Sequence, residues 1–277
     1  MTRAGTSISL TLNTFCHPRG PWCGCCGIVC SAAGLLCSLA AQPAQAIEIY
    51  GNEVAETAIM AAGDREFSAA AQASRSSGIL PGQALSAEPG AATLMQLTGA
   101  WGLGDGWQAA AEVVLIASCG GQTGVDGWRI SAQRVLDLGD EAPLSLSAVV
   151  HASGDAHGAF AAELRPVIAL QAGELVAALN PVLLLASDGS SSVAPCAKLR
   201  WQPPRGFGLD LEYYADLGPM DDLGPGAAAQ QAVYAGLDVD VAGSAADPWQ
   251  LRVAAGHPLQ SAAADDWSFK ASMVRAF

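Results

Sequence analysis

The sequence predicts an all-β fold, a single antiparallel up-and-down transmembrane β-barrel of about twelve strands. Three observations carry this. Apolar and polar residues alternate with a period of two over most of residues 47–277. A leader-like segment precedes that region. The last alternating segment closes on an aromatic residue, Phe277.

The leader comes first. Arg3 and Arg19 are the only formal charges up to position 46. The run Gly27 to Ala41 is uncharged, and it is too short to cross a bilayer as a helix. It leads to Ala44-Gln45-Ala46, a small-x-small pattern. Residues 1–46 therefore read as a signal peptide cleaved after Ala46, and residues 47–277 as the barrel. The long stretch before the apolar run points to a start codon downstream of Met1. Cys16, Cys23, Cys25, Cys26, Cys30 and Cys37 fall inside the leader. Metal sites need ligands spread over a folded frame, so no metal or other cofactor is expected. Cys119 and Cys196 remain, and the sequence leaves their pairing open.

Composition narrows the class. Of 277 residues, 51% are hydrophobic and 14% charged, which is too apolar for a disordered chain. Lys and Arg total 13 against 26 acids, a net charge of −13. Phosphate binding needs clustered cations, so no nucleic-acid partner is expected. No run of 18 apolar residues follows position 46, so no transmembrane helix is expected.

Strands are expected near 53–62, 92–101, 107–117, 127–136, 143–151 and 159–169, then near 174–185, 192–201, 207–216, 229–239, 248–256 and 267–277. Each is long enough to cross a bilayer at a tilt. In 267–277, Trp267, Phe269, Ala271, Met273, Arg275 and Phe277 share one face, and Ser268, Lys270, Ser272, Val274 and Ala276 the other. In 207–217, Leu209, Leu211 and Tyr213 oppose Asp210, Glu212 and Tyr214. Turn residues separate the strands, as in Gly102-Leu103-Gly104-Asp105-Gly106 and Asp188-Gly189-Ser190. Odd-numbered connections are longer than even-numbered ones, as in a barrel whose chain ends share one rim, and 63–91 is the longest.

Parity sorts the side chains. Glu112, Arg129, Glu163, Arg165, Glu174, Lys198, Arg200, Asp210, Glu212, Asp238, Arg252 and Lys270 fall on the inward face. The set holds six acids and six bases, a balance that favours mutual pairing over a selective filter. Tyr214 and Tyr234 also point inward, to stack on a solute or fill space. Arg134 and Arg275 are the outward exceptions. A lipid-facing charge costs about 2–4 kcal/mol at mid-depth and little near an interface. Arg275 thus belongs at the interface, and Arg134 suggests a register slip of one. Trp101, Trp107, Trp128, Trp201, Trp249 and Trp267 lie at strand ends, as in an aromatic girdle.

A signal peptide, amphipathic strands and a terminal Phe277 together resemble Gram-negative outer-membrane β-barrels. The spacing of Trp267, Phe269 and Phe277 looks like the signal read by the barrel-assembly machinery of that class. Glu163-Leu164-Arg165-Pro166, Asn180-Pro181 and Gly208 to Tyr214 look similar to uncharacterised barrels. Those are related to outer-membrane proteins of aromatic-degradation operons, presumed transporters. The resemblance implies export to the bacterial outer membrane, with outer-membrane lipid, the assembly machinery and small solutes as partners.

One stretch bears on enzyme chemistry. Outer-membrane phospholipases also resemble twelve-stranded barrels, and their chemistry needs a Ser hydrogen-bonded to a His. His151, Ser153, Asp155 and His157 lie in one short stretch, whereas triad members usually come from different elements. Metal binding through His151, Asp155 and His157 fits the spacing equally, and a polar loop is the simpler reading. His257 precedes Pro258 and suggests nothing. The expectation is a non-enzymatic pore or passive transporter for small solutes. The alternatives are a closed structural or surface-binding barrel and a lipid-modifying outer-membrane enzyme.

Overall fold

The computed structural model describes residues 54–55, 57, 60–74, 92–118, 123–136, 138, 142–155, 158–203, 206–220, 231–241, 249–259 and 267–277. The chain divides into units 1–41 and 42–277, and all described residues belong to the second. The expected signal peptide lies outside the described residues.

The described residues form only strands and their connections. The strands are β1 (Arg65–Ser74), β2 (Ala92–Gly104), β3 (Trp107–Ser118), β4 (Thr123–Leu136), β5 (Leu144–Asp155), β6 (Phe160–Ala172) and β7 (Leu175–Asn180). They continue with β8 (Leu183–Ala186), β9 (Ser191–Val193), β10 (Cys196–Trp201), β11 (Phe207–Ala215), β12 (Gln231–Val241), β13 (Trp249–Pro258) and β14 (Ser268–Ala276). Proline removes a ladder donor and breaks two of the wall strands. β7 and β8 are halves of one, interrupted at Pro181-Val182, and β9 and β10 halves of another, interrupted at Ala194-Pro195. Twelve wall strands result. Each pairs antiparallel with its sequence neighbour, and β14 pairs β1 to close the barrel.

Two strand expectations need correction. The first wall strand is β1 at Arg65–Ser74, not 53–62. Its outward residues after Phe67 are Ala69, Ala71 and Ala73, and inward Ser68, Ala70 and Gln72 contrast with them only weakly. Of the described residues before β1, Val54 is instead buried in the lumen-side apolar patch, and Met60 and Ala61 lie against Gln108 and Gly102. A turn at Ala61–Asp64, with Gly63 at φ 91° and Asp64 N–H donating to Ala61 O at 3.1 Å, feeds the chain into β1. The second correction concerns Arg134. The register does not slip: Arg134 faces Trp107 at the strand end and lies 5.2 Å over its ring.

Local chemistry explains the tight connection between β2 and β3. Asp105 (φ 51°) and Gly106 (φ 76°) both take positive φ, the geometry of a two-residue hairpin turn matching strand twist.

The outer surface is an apolar belt between two aromatic rims. Leu97, Val113, Ile130, Leu164, Leu199, Leu211, Leu237 and Val253 are exposed around the wall. Phe67, Trp101, Trp107, Trp201, Trp249 and Phe277 ring the rim that holds the wall's two chain ends, here the near rim. Trp128, Phe160 and Trp267 mark the far rim. Arg275 lies 5.0 Å over the Trp249 ring and 4.9 Å over that of Phe277, at the near rim as expected. Water exposure of such a belt costs about 25 cal/mol per Å², so the exterior is built to stand in lipid.

Candidate functional site

The candidate site is the lumen wall. Strand register places opposite charges face to face, where cross-strand side chains touch. Glu112 faces Arg129, Lys198 faces Glu212, Arg200 faces Asp210, Asp238 faces Arg252 and His151 faces Glu163. Eleven of the twelve inward-assigned charges gather in three clusters.

The largest cluster spans β10 to β14 around Glu212, whose side chain is 0% exposed. Glu212 receives Arg252 at 2.6 Å, Lys270 at 3.3 Å and Lys198 at 3.9 Å, and the Tyr214 hydroxyl donates to it at 2.8 Å. Arg252 also grips Asp210 through two nitrogens, at 3.1 and 2.7 Å, and comes within 3.5 Å of Asp238. Arg200 closes the group on Asp238 at 3.2 Å. Glycine makes the reach to Asp210 possible. Gly236 faces Asp210, and a Cβ there would sit 2.6 Å from the carboxylate.

The second cluster pairs Glu163 with Arg165 at 2.7 Å, with His151 at 3.6 Å. In the third, Glu112 accepts from Arg129 at 2.8 Å, Gln96 at 3.0 Å and Thr98 at 3.3 Å. Glu174 joins none of these clusters: it sits exposed in the β6–β7 turn, accepts the Trp201 indole N–H at 2.9 Å and lines the cavity at the near rim.

Tyr214 and Tyr234 both point inward, edge to face at 5.6 Å. Lys270 lies 4.2 and 3.9 Å over their rings, and Ser268 donates to the Tyr234 hydroxyl at 2.6 Å. The rings fill space, since Tyr234 is 0% exposed. They join Ala169, Ala178, Val182, Cys196, Ala232 and Val54 in an apolar patch on the lumen side.

Val54 was not anticipated as a lumen residue. It is 1% exposed within that patch. Buried Asn180 donates its amide to Ala55 O at 3.2 Å. Further along, Met60 N–H donates to Gln108 Oε1 at 3.2 Å. At Gly102, inward-facing on β2, an added Cβ would collide with the Ala61 carbonyl. No side chain there could leave room for the passing segment. The apolar run at 54–62 was visible in the sequence, but its alternation imitated a wall strand.

A cavity of about 470 Å³ opens at the near rim. Arg200, Asp238, Asp240, Gln171 and Gln202 line it, so it forms a polar vestibule.

The suggested nucleophile arrangement is not assembled. Neither ring nitrogen of His151 has a hydrogen-bond partner, so Ser153 is not bonded to it. Asp155 accepts the Ala159 N–H at 2.7 Å, which holds the β5–β6 turn. His157 lies outside the described residues, and no metal-ligating group occurs among those described. Cys196 is a buried free thiol, and Cys119 lies outside the described residues. Trp267, Phe269 and Phe277 lie on the lipid side of β14 or at its ends.

No family model matches the chain, and no curated protein does. Solved barrels do. The KdgM porin superposes with a TM-score of 0.54 at 9% identity, covering 76% of this chain and 99% of that one. The COG4313 outer membrane channel from Pseudomonas putida F1 gives 0.54 at 15% identity, covering 83% and 100%. A KdgM porin in complex with disordered oligogalacturonate gives 0.52 at 9% identity, covering 77% and 98%. The chain shares the fold of outer-membrane channels.

Proposed function

We propose that the protein is a channel of the bacterial outer membrane for small polar solutes. One observation carries the reading: a closed wall, apolar outside and charged inside, encloses a lumen that opens into a vestibule of about 470 Å³. Mutual pairing of the lumen charges gives weak ion selectivity, because each acid's field is largely cancelled within a few ångström. One neighbour is described in complex with an oligogalacturonate, which supports a solute in the lumen rather than lipid. In this reading residues 1–46 direct export and are cleaved. The end of β14, with Trp267, Phe269 and Phe277, is read by the barrel-assembly machinery. The channel reading implies no enzymatic step.

The test is single-channel recording in planar bilayers with potassium chloride. Discrete steps are expected, with cation and anion permeabilities within a few-fold of each other. A barrel that inserts and never conducts defeats the reading.

One observation favours a second reading, a barrel closed at rest. Val54 packs on the lumen-side apolar patch, Ala55 is held by Asn180, and Met60 and Ala61 lie at Gln108 and Gly102. Deleting residues 47–62 separates the two. A large rise in conductance identifies a closed resting barrel, and an unchanged step an open one.

A further inference from the structure

Among the described residues, the seam between β6 and the β7–β8 strand has a hydrogen-bond gap at mid-height. Successive residues of a β-strand bond to opposite neighbours. Ser187 donates to Phe160 O and Gln171 donates to Pro143 O, both at 2.8 Å. Even-numbered residues of β6 therefore bond towards β7 and β8, and odd-numbered residues of β7 and β8 bond back. Leu164 faces Leu183 and Ile168 faces Leu179. In the same register Pro166 faces Pro181, at a position where two residues should exchange two N–H···O bonds. Proline has no N–H, so neither bond forms. The ladder is empty from the Ile168–Leu179 pair to the Leu164–Leu183 pair, about 13 Å of strand.

The gap lies in the middle of β6, which runs from Phe160 at the far rim to Ala172 at the near rim. In hydrocarbon, strand pairing is what satisfies wall carbonyls, and here the facing donors are missing. The next strand also carries a proline, though its seam with β7–β8 stays bonded through Ala194 N–H to Val182 O at 2.9 Å. Register places Pro195 opposite Pro181. Ala215 donates to Pro195 O at 3.0 Å, and Pro195 cannot return the bond.

Both faces of the gap are apolar. Outside are exposed Leu164, Ile168 and Leu179. Inside, Val182, Ala178 and Cys196 belong to the apolar patch on which Val54 sits. Asn180, beside the gap, holds Ala55.

We propose that the seam between β6 and the β7–β8 strand is a lateral passage between lumen and bilayer for small uncharged apolar molecules. Val54 and Ala55 are its inner stopper. The proposal goes beyond the axial channel and rests on that reading only in placing the barrel in a membrane.

The test uses the full chain in vesicles whose outer leaflet is lipopolysaccharide. The probe is N-phenyl-1-naphthylamine, an uncharged aromatic that fluoresces on entering lipid. P166A/P181A restores both missing donors. Dye entry in the variant is expected to fall several-fold, towards that of vesicles without protein, with potassium chloride conductance unchanged. An unchanged dye rate overturns the proposal. So does a parallel loss of dye entry and conductance, since the dye would then share the axial path. A wild type that passes dye but never conducts defeats the axial reading and leaves the lateral one standing. A second readout needs no transport. Amides of Ile168 and Leu183 are expected to exchange faster than those of Leu97 and Val113 on the β2–β3 seam, and to slow in the variant. Equal rates at the two seams overturn the proposal.

Discussion

Glu212 is the position at which a single neutral substitution should disturb the lumen most. Gln in its place keeps an acceptor for the Tyr214 hydroxyl, at 2.8 Å in the native wall, and removes only the charge. Arg252 at 2.6 Å, Lys270 at 3.3 Å and Lys198 at 3.9 Å then lose their shared counter-ion. Arg252 keeps Asp210 and Asp238, and Lys270 keeps the Tyr214 hydroxyl at 3.1 Å. Removing one partner of a buried ion pair costs about 3–5 kcal/mol, and E212Q is expected to fall in that range. Urea unfolding from lipid vesicles, followed by tryptophan fluorescence, reads the loss. K270M added to E212Q removes one of the cations that shared Glu212, so the double variant should be more stable than the sum of the singles by about 0.5–3 kcal/mol. The reversal potential in a salt gradient should move towards anions in E212Q and part-way back in the double variant. A loss below about 1 kcal/mol, the scale of an exposed pair, together with strict additivity, would refute the shared-counter-ion account.

Other outcomes follow from the same geometry. G102V, which places a branched side chain against the Ala61 carbonyl, is expected to displace residues 54–62 and raise conductance. Single-channel steps of the variant and of the 47–62 deletion should match. I130K, at an exposed lipid-side position, should cost about 2–4 kcal/mol in vesicle unfolding, whereas R134Q, losing a rim cation over Trp107, should cost no more than about 1 kcal/mol. In the β8–β9 turn, hydrogen bonds from the Ser190 side chain and backbone hold the Asp188 carboxyl below its ordinary range. The turn contact is therefore present at neutral pH and is lost as pH falls through the lowered value. S190A should bring the Asp188 titration back towards the ordinary carboxylate range in an NMR titration.

Most of the architecture was legible because a wall strand has water on one side and lipid on the other. That contrast is strong in β11, where Asp210, Glu212 and Tyr214 alternate with Leu209, Leu211 and Tyr213. It nearly vanishes in β1, where small Ala and Ser residues serve both faces, so the first strand was misplaced onto 53–62. Val54 in that segment packs on the lumen-side apolar patch, a context which periodicity does not distinguish from lipid. Inward charges were assigned by parity alone, and only register could say who meets whom. Arg252 reaches Asp210 two strands away because Gly236 leaves the space. Glu174 stays outside the clusters because it belongs to a turn at the rim, where it lines the cavity instead.

Closure through β1 and β14 has a consequence for biogenesis. Glu66 must find Ala276 and Ser74 must find Ser268, residues of the first and last wall strands. Until the last hairpin emerges, both outer strands present unpaired backbone to any neighbour, the condition under which sheets stick to one another. Such a chain has to be kept apart from its siblings while it waits. The pairing of β14 with β1 is therefore what removes both raw margins from the finished cylinder.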